Sequence, residues 1–257
     1  MKDRPNEYYK MAEVEMNHWW YKSLHFQVLQ QLMIKSKSKK IKILDAGCGS
    51  GGLMKYLEAR GYENMKGFDI SDEAVNLCKK EYLKVIKGDI KNIASLYEGE
   101  RFDAIISNDN LYFIERSEIT RFIDDCANLL EPNGLLVINL PCLEIFRGIH
   151  DISVGIKKRF SKDEIDKLFN NKQFLILKKI FWPFLLSPAI LLIRFLQRIR
   201  IYLIANTKVY SDISLPSKMI NFLLFKITYF DLNYIRYRAF GSSILIVMKK
   251  NILNKKV

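Results

Sequence analysis

From residue 41 onward, short apolar runs alternate with helical patterns. Ile41–Ala46 (IKILDA) is predicted to be a strand that ends in a glycine-rich turn. Leu53–Arg60 reads as a helix. Met65–Ile70, Leu83–Lys87, Phe102–Ser107 and Leu135–Leu140 read as further strands. Among them, Ser71 can cap a helix from about Asp72 to Tyr82. Another helix over Ser117–Leu130 stops at Glu131-Pro132-Asn133-Gly134, a turn signal. Past Pro141, Ser161–Asn171 opens on a capping box, and Phe174–Phe181 and Gly241–Lys249 read as strands. Strands alternating with helices predict an α/β fold built on a parallel sheet with right-handed crossovers.

Roughly 60 residues between the last two strands exceed what such a fold needs. They hold the most apolar stretch of the chain, Phe181–Ala205, which Pro183, Pro188, Arg194, Arg198 and Arg200 interrupt. The uncharged run before Arg194 is shorter than the about 20 residues that cross a bilayer. Ser187-Pro188 has the form of an N-cap and first-position proline. The helix that follows carries Arg194, Gln197 and Arg198 on one face and Leu, Ile and Phe around the rest. That pattern fits an interfacial helix, and equally one docked on its own domain or on a twin subunit. Met219–Phe230 reads the same way.

Charge sharpens this picture. The net charge is +13, from 41 Lys and Arg against 28 Asp and Glu. Residues 1–156 are near neutral, whereas residues 157–257 hold 20 basic and only 5 acidic side chains. An anionic partner is therefore to be sought in the C-terminal part, where a solvated basic face is the alternative. With 49% hydrophobic and 27% charged residues, the 257-residue chain is no disordered, collagen-like or disulfide-scaffold sequence. Cys48, Cys78, Cys126 and Cys142 form no C-x-x-C pair and read as reduced, buried residues of a cytoplasmic protein. The first seven residues carry charges of both signs and no apolar core, unlike a signal peptide. His18 and His25 lack a third ligand at metal spacing, so no metal is expected.

The strongest chemical signal is Asp45-Ala46-Gly47-Cys48-Gly49-Ser50-Gly51-Gly52, directly after the first strand. Glycines allow a tight turn and a close approach to a ligand, and the following helix offers N–H groups at its start. Asp69, at the end of the second strand, stands where a carboxylate can accept both ribose hydroxyls. Gly47-x-Gly49-x-x-Gly52 also satisfies the dinucleotide fingerprint, so an NAD(P)-dependent oxidoreductase is an alternative.

With Asp45 ahead of the loop, the sequence resembles the class I S-adenosylmethionine (SAM)-dependent methyltransferases. The resemblance continues through Phe68-Asp69-Ile70-Ser71, Lys87-Gly88-Asp89-Ile90, Phe102–Ser107 and Leu130–Leu136. It implies a Rossmann-like seven-stranded sheet with helices on both faces and an antiparallel last strand inserted beside the fifth. It implies SAM as cofactor, with Asp69 and Ile70 at the ribose and Asp89 and Ile90 at the adenine edge. Asp45, Gly47, Cys48, Gly49 and Gly51 would shape the methionine end, and Asn108 would face the methyl.

A narrower resemblance, to a branch that opens with H-W-W-F, shows in His18-Trp19-Trp20-Tyr21, His150-Asp151…Arg159-Phe160-Ser161 and Ser211-Asp212…Pro216…Phe240-Gly241-Ser242-Ser243. Members often lie among enzymes of cell-surface glycan or lipid assembly. Relatives commonly read L-E-H after the fourth strand, where this chain has Leu111-Tyr112-Phe113. A second histidine often found in relatives is Ile156 here. His150 is then the candidate base, with Asp151 as neighbour or alternative, because imidazole changes charge near neutral pH. Trp19, Trp20, Tyr112 and Arg159 are candidates to line the acceptor pocket, or simply to pack.

The expected organisation is one domain: an N-terminal helical lid (1–35), a core (36–181 and 238–250) and an inserted basic-apolar cap (182–237). The expected activity is SAM-dependent methyl transfer to an O or N atom of a small-molecule, glycan or lipid-linked acceptor. The cap leaves peripheral contact with the inner face of the membrane open. No nucleic acid is expected, because the insert has no basic helix or aromatic-basic platform. A non-catalytic membrane- or nucleic-acid-binding module on the same fold is the other alternative, and the oligomeric state is open.

Overall fold

The computed structural model describes residues 5–203 and 214–251. Seven strands form one sheet: β1 (Ile43–Ala46), β2 (Met65–Asp69), β3 (Val85–Lys87), β4 (Phe102–Asn108), β5 (Leu130–Pro141), β6 (Phe174–Trp182) and β7 (Ser243–Lys250). Their order is β3-β2-β1-β4-β5-β7-β6. The first five are parallel; β7 runs antiparallel between β5 and β6. The sheet thus has the expected mixed α/β form. The strand order reverses between β1 and β4, which is where a crevice opens at the carboxyl ends of an open sheet.

Side-chain alternation splits the core in two. Leu44, Ile105, Leu136, Ile138, Ile244 and Ile246 pack with α6 (Arg116–Leu129) and α8 (Lys162–Phe169). Ile43, Ala104, Ile106, Val137, Leu245 and Val247 pack on the other face with α2 (Trp19–Lys35), α3 (Gly52–Glu58) and α4 (Asp72–Lys80). α2 is therefore more than a lid: Leu24, Val28 and Leu32 belong to that core. The short helix α5 (Ile93–Leu96) contributes Ile93 to the first core, and α1 (Pro5–Val14) lies over α4 with Tyr8 and Met11 against Ala74.

Local signals explain the helix starts. Ser71 accepts from Ala74 N–H, and Ser161 and Glu164 form a reciprocal capping box. Two expectations are corrected. The helix stops where expected, at Leu129, but β5 already starts at Leu130, ahead of Glu131–Gly134. Phe102 pairs with Leu130 and Ala104 with Leu135, so the four residues loop out as a bulge, with Asn133 at φ 61°. Ser187 does not cap: its hydroxyl donates to the Pro183 carbonyl at 2.6 Å.

Between β6 and β7 lie α9 (Ser187–Leu203) and α10 (Lys218–Tyr234). α10 packs along α2 in parallel. Trp19 N–H donates to Asn221 at 2.8 Å, Phe26 meets Tyr229 at 4.9 Å, and Gln30 donates to Asn233 at 3.0 Å. α9 sits beside the turn at Glu144–Phe146. Among the described residues no helix is long and apolar enough to cross a membrane. Ser211 and Asp212 of the branch resemblance, and residues 1–4 of the expected lid, lie outside the described residues.

Candidate active site

A cavity of about 710 Å3 opens at the carboxyl ends of β1, β2, β4 and β5, beneath α1 and α2. Asp45, Gly47, Cys48, Gly49, Asp69, Ile70, Asp89, Ile90 and Asn108 all line it. So do Trp19, Trp20, Tyr112, His150 and Arg159 from the expected acceptor side.

Gly47 and Gly49 take φ of +78° and +55° in the turn after β1. A Cβ on Gly49 would stand 2.6 Å from Met11 Cε, so α1 closes on the loop because glycine is there. Gly49 N–H donates to Asp69 Oδ2 at 2.9 Å, which ties the loop to the end of β2. Asp69 Oδ1 accepts from Ser71 N–H at 3.0 Å and from the Tyr8 hydroxyl at 3.2 Å. Gly51 departs from expectation. It is not part of the cavity wall, and a Cβ there would meet Leu83 and Cys78 in the core behind the loop.

The start of α3 also differs from the open anion site that the sequence implies. Glu15, between α1 and α2, accepts from Gly52 N–H at 3.2 Å and from the Ser50 hydroxyl. A carboxylate therefore already occupies the position where a Rossmann fold holds pyrophosphate. Five carboxylates (Glu15, Asp45, Asp69, Asp89 and Asp109) line the cavity. Burial, reinforced by Glu15 and Asp69, pushes the Asp45 carboxyl up to about 8. The Asp45 carboxyl has no hydrogen-bond partner among the described residues, and Asn108 Oδ1 is buried without one. A buried carboxyl and a buried amide oxygen without protein partners suit a ligand that brings a cation, which favours the charged carboxylate, and N–H or O–H groups. They do not suit a polyanion. This donor-poor, acidic wall fits the sulfonium and ammonium of SAM.

The acceptor side holds a group that sequence reasoning missed. Asp109 follows β4 with φ 53°, a left-handed conformation uncommon outside glycine, asparagine and aspartate. Asn139, fully buried on β5, donates to both its carboxylate oxygens at 3.0 and 2.9 Å. Trp182 Nε1–H in turn donates to Asn139 Oδ1 at 2.9 Å, and Trp20 stacks on Trp182 with ring centroids 5.0 Å apart. Burial raises the Asp109 carboxyl to about 7, while Asn139, His150 and Arg159 pull it down. The local signal was the Asn108-Asp109-Asn110 run at a strand end; nothing in it announced Asn139 or Trp182.

His18 caps α2, its Nδ1 accepting from Trp20 N–H at 3.2 Å. Burial, and then His150, lower it to about 4, so it is a neutral imidazole carrying its proton on Nε2. The expectation for Asp151 is corrected. It is fully buried, and it accepts from Gly148 N–H at 2.8 Å and from Arg159 Nε and Nη2 at 2.8 and 3.1 Å. With three donors on its two oxygens and no place in the cavity wall, it is not positioned to take a proton there. Arg159 is likewise committed, since its Nη1 also donates to the carbonyls of Cys142 and Ser242. This pair locks α7 (Ile149–Val154) to β5 and to the entry of β7, and so fixes His150. Tyr112 packs on Phe113, with centroids at 4.3 Å. Among the described residues no cluster of His, Cys, Asp and Glu could hold a metal ion.

Residues 43–134 match the family model of a methyltransferase domain. That stretch runs from β1 into β5 and holds the glycine loop, Asp69, Asp89 and Asp109, and its match supports a class I S-adenosylmethionine-dependent methyltransferase. Solved structures of this class share its fold. A SAM-dependent methyltransferase from Clostridium acetobutylicum is 14% identical, with 90% of this chain and 92% of that one covered and a TM-score of 0.54. Magnesium protoporphyrin IX methyltransferase from Synechocystis, with bound S-adenosylhomocysteine, is 15% identical over 89% and 82%, with a TM-score of 0.53. A complex of a methyltransferase activator and a methyltransferase from Haloferax volcanii gives 16% identity, 97% coverage of each chain and a TM-score of 0.58. No curated protein matches the sequence.

Proposed function

We propose that this methyltransferase transfers the methyl group of SAM to an oxygen or nitrogen of a glycan or lipid-linked acceptor. The acidic, donor-poor wall built by Glu15, Asp45 and Asn108 carries the choice of cofactor. It attracts a sulfonium and repels the pyrophosphate of NAD(P). When bound, SAM supplies an electrophilic methyl on a cationic sulfur. The protein's part is then to orient the acceptor and, for a hydroxyl or ammonium, to take its proton.

Asp109 suits the second role. It lines the cavity, Asn139 holds both its oxygens, and its pKa near 7 matches the working range of a general base. His150 and neutral His18 line the same wall and can orient a polar acceptor. Trp19, Trp20 and Tyr112 offer flat apolar surfaces of the kind on which sugar rings and prenyl chains rest.

Thermal unfolding with S-adenosylhomocysteine, NAD+ and NADP+ in parallel tests the cofactor. A ligand at 100 times its Kd adds about 2.7 kcal/mol, or about 5–11 °C for a chain of this size. The expected result is a shift with S-adenosylhomocysteine alone; a shift with a dinucleotide alone refutes the proposal.

A further inference from the structure

α9 and α10 are built inside out. A helix on a protein surface normally turns its apolar stripe inward and its polar residues to water. In α10 the fully buried side chains are Thr228 and Asp231, both polar. Asn221 also faces inward, bonded to Trp19 N–H and to the Asn17 carbonyl. The outward stripe is Met219 (80% exposed), Phe222 (61%), Leu223 (56%), Phe230 (51%) and Tyr234 (67%). In α9, Arg194 and Gln197 bond to each other on the inner side, while Leu192, Ile193, Phe195, Leu196 and Ile199 are exposed.

The ionic rim has one sign. Arg198, Lys218, Lys226 and Arg236 are exposed beside the apolar stripes. Among the described residues of 187–237, Asp231 is the sole carboxylate, and it is buried against Arg238 at 3.1 Å. The two helices also flank the cavity. Ile190 and Arg194 of α9 line it, and the N-terminal end of α10 is bonded to Trp19 at its wall.

We propose that the outward faces of α9 and α10 dock on an anionic lipid surface, with the cavity mouth turned toward the headgroups. Apolar side chains enter the headgroup boundary, and the cations meet lipid phosphates. A second copy of this chain fits less well, because a two-fold interface would set one basic rim against the other with no exposed carboxylate among the described residues of α9 and α10 to meet it. The proposal rests on the acceptor reading above only for its consequence, that a lipid-linked acceptor can reach the cavity without leaving the membrane.

Flotation of the full chain with phosphatidylcholine vesicles, with and without 30% phosphatidylglycerol, tests it at low and at high salt. Binding is expected to the anionic vesicles at low salt and to be at least tenfold weaker to the neutral ones. Lys226→Gln and Arg198→Gln should each weaken binding about fivefold. Phe222→Ser with Leu223→Ser should weaken it at least tenfold while the shift with S-adenosylhomocysteine stays unchanged, which shows that the variant is folded. No binding to anionic vesicles overturns the proposal. So does equal binding to neutral ones, or a dimer in solution that the double serine variant dissolves. Failure to float by a protein that S-adenosylhomocysteine still stabilises leaves the methyl-transfer reading standing. Floating without any response to that ligand does the reverse.

Discussion

Replacing Asp151 by alanine separates a structural carboxylate from a catalytic one. Its oxygens hold Arg159 and Gly148 in a fully buried setting, and Arg159 is only 6% exposed. Asp151→Ala strands a guanidinium among the carbonyls of Cys142 and Ser242. Breaking a buried pair from one side costs about 3–5 kcal/mol, because the remaining charge is left uncompensated. At 2–4 °C per kcal/mol, the melting temperature should fall by about 6–20 °C. A double variant, Asp151→Leu with Arg159→Met, removes both charges and should recover much of the loss. S-adenosylhomocysteine should still raise the melting temperature of either variant, since neither residue belongs to the glycine loop. The assay is thermal unfolding, with and without that ligand, at fixed protein concentration. A fall of less than about 3 °C for Asp151→Ala, together with loss of methyl transfer, would refute the assignment and return Asp151 to the list of bases.

Other outcomes follow from the same geometry. Asp45 is raised to about 8 when folded and is near its ordinary value unfolded, so the folded state holds the extra proton. Without ligand, stability should therefore fall as pH rises from about 4 through about 8, with Asp109 acting in the same direction up to about 7. Asp45→Asn should flatten that slope in melts at pH 5.5 and 8.5. SAM, which carries a sulfonium, should tighten with rising pH more than S-adenosylhomocysteine does; equal pH profiles by calorimetry would count against Asp45 as the cation's partner. Gly49→Ala forces a side chain into a left-handed turn and should cost about 1–2 kcal/mol in a melt, together with weaker S-adenosylhomocysteine binding. Trp182→Phe leaves Asn139 Oδ1 without its donor and should cost about 1–3 kcal/mol in urea unfolding, with a raised acidic limb in the pH profile of methyl transfer.

Local pattern made most of the core legible. Asp45 through Gly52 and the period-2 strands are signals within a few residues, so the parallel strands, the glycine loop and Asp69 follow from spacing, whereas the antiparallel β7 beside β5 came only with the family resemblance. What stayed hidden depends on partners far along the chain. Glu15 gives no sign in its own surroundings that it will cap α3, 37 residues later. Asp151 looks like a base beside His150 until Arg159 and the Gly148 N–H close on it. The apolar residues of α9 and α10 have the composition of a core, and only their orientation against Asn17, Trp19 and Arg238 turns them outward.

The place of β7 in the sheet bears on how the chain is made. β5 finds its antiparallel neighbour about a hundred residues later, in Ser243–Lys250, and among the described residues β6 pairs with β7 alone. Until the ribosome has released the last strand, β5 therefore presents an open edge rich in Leu, Val and Ile. During that interval α9 and α10 have already emerged. A surface that holds them would tether the nascent chain while its sheet awaits the strand that closes it.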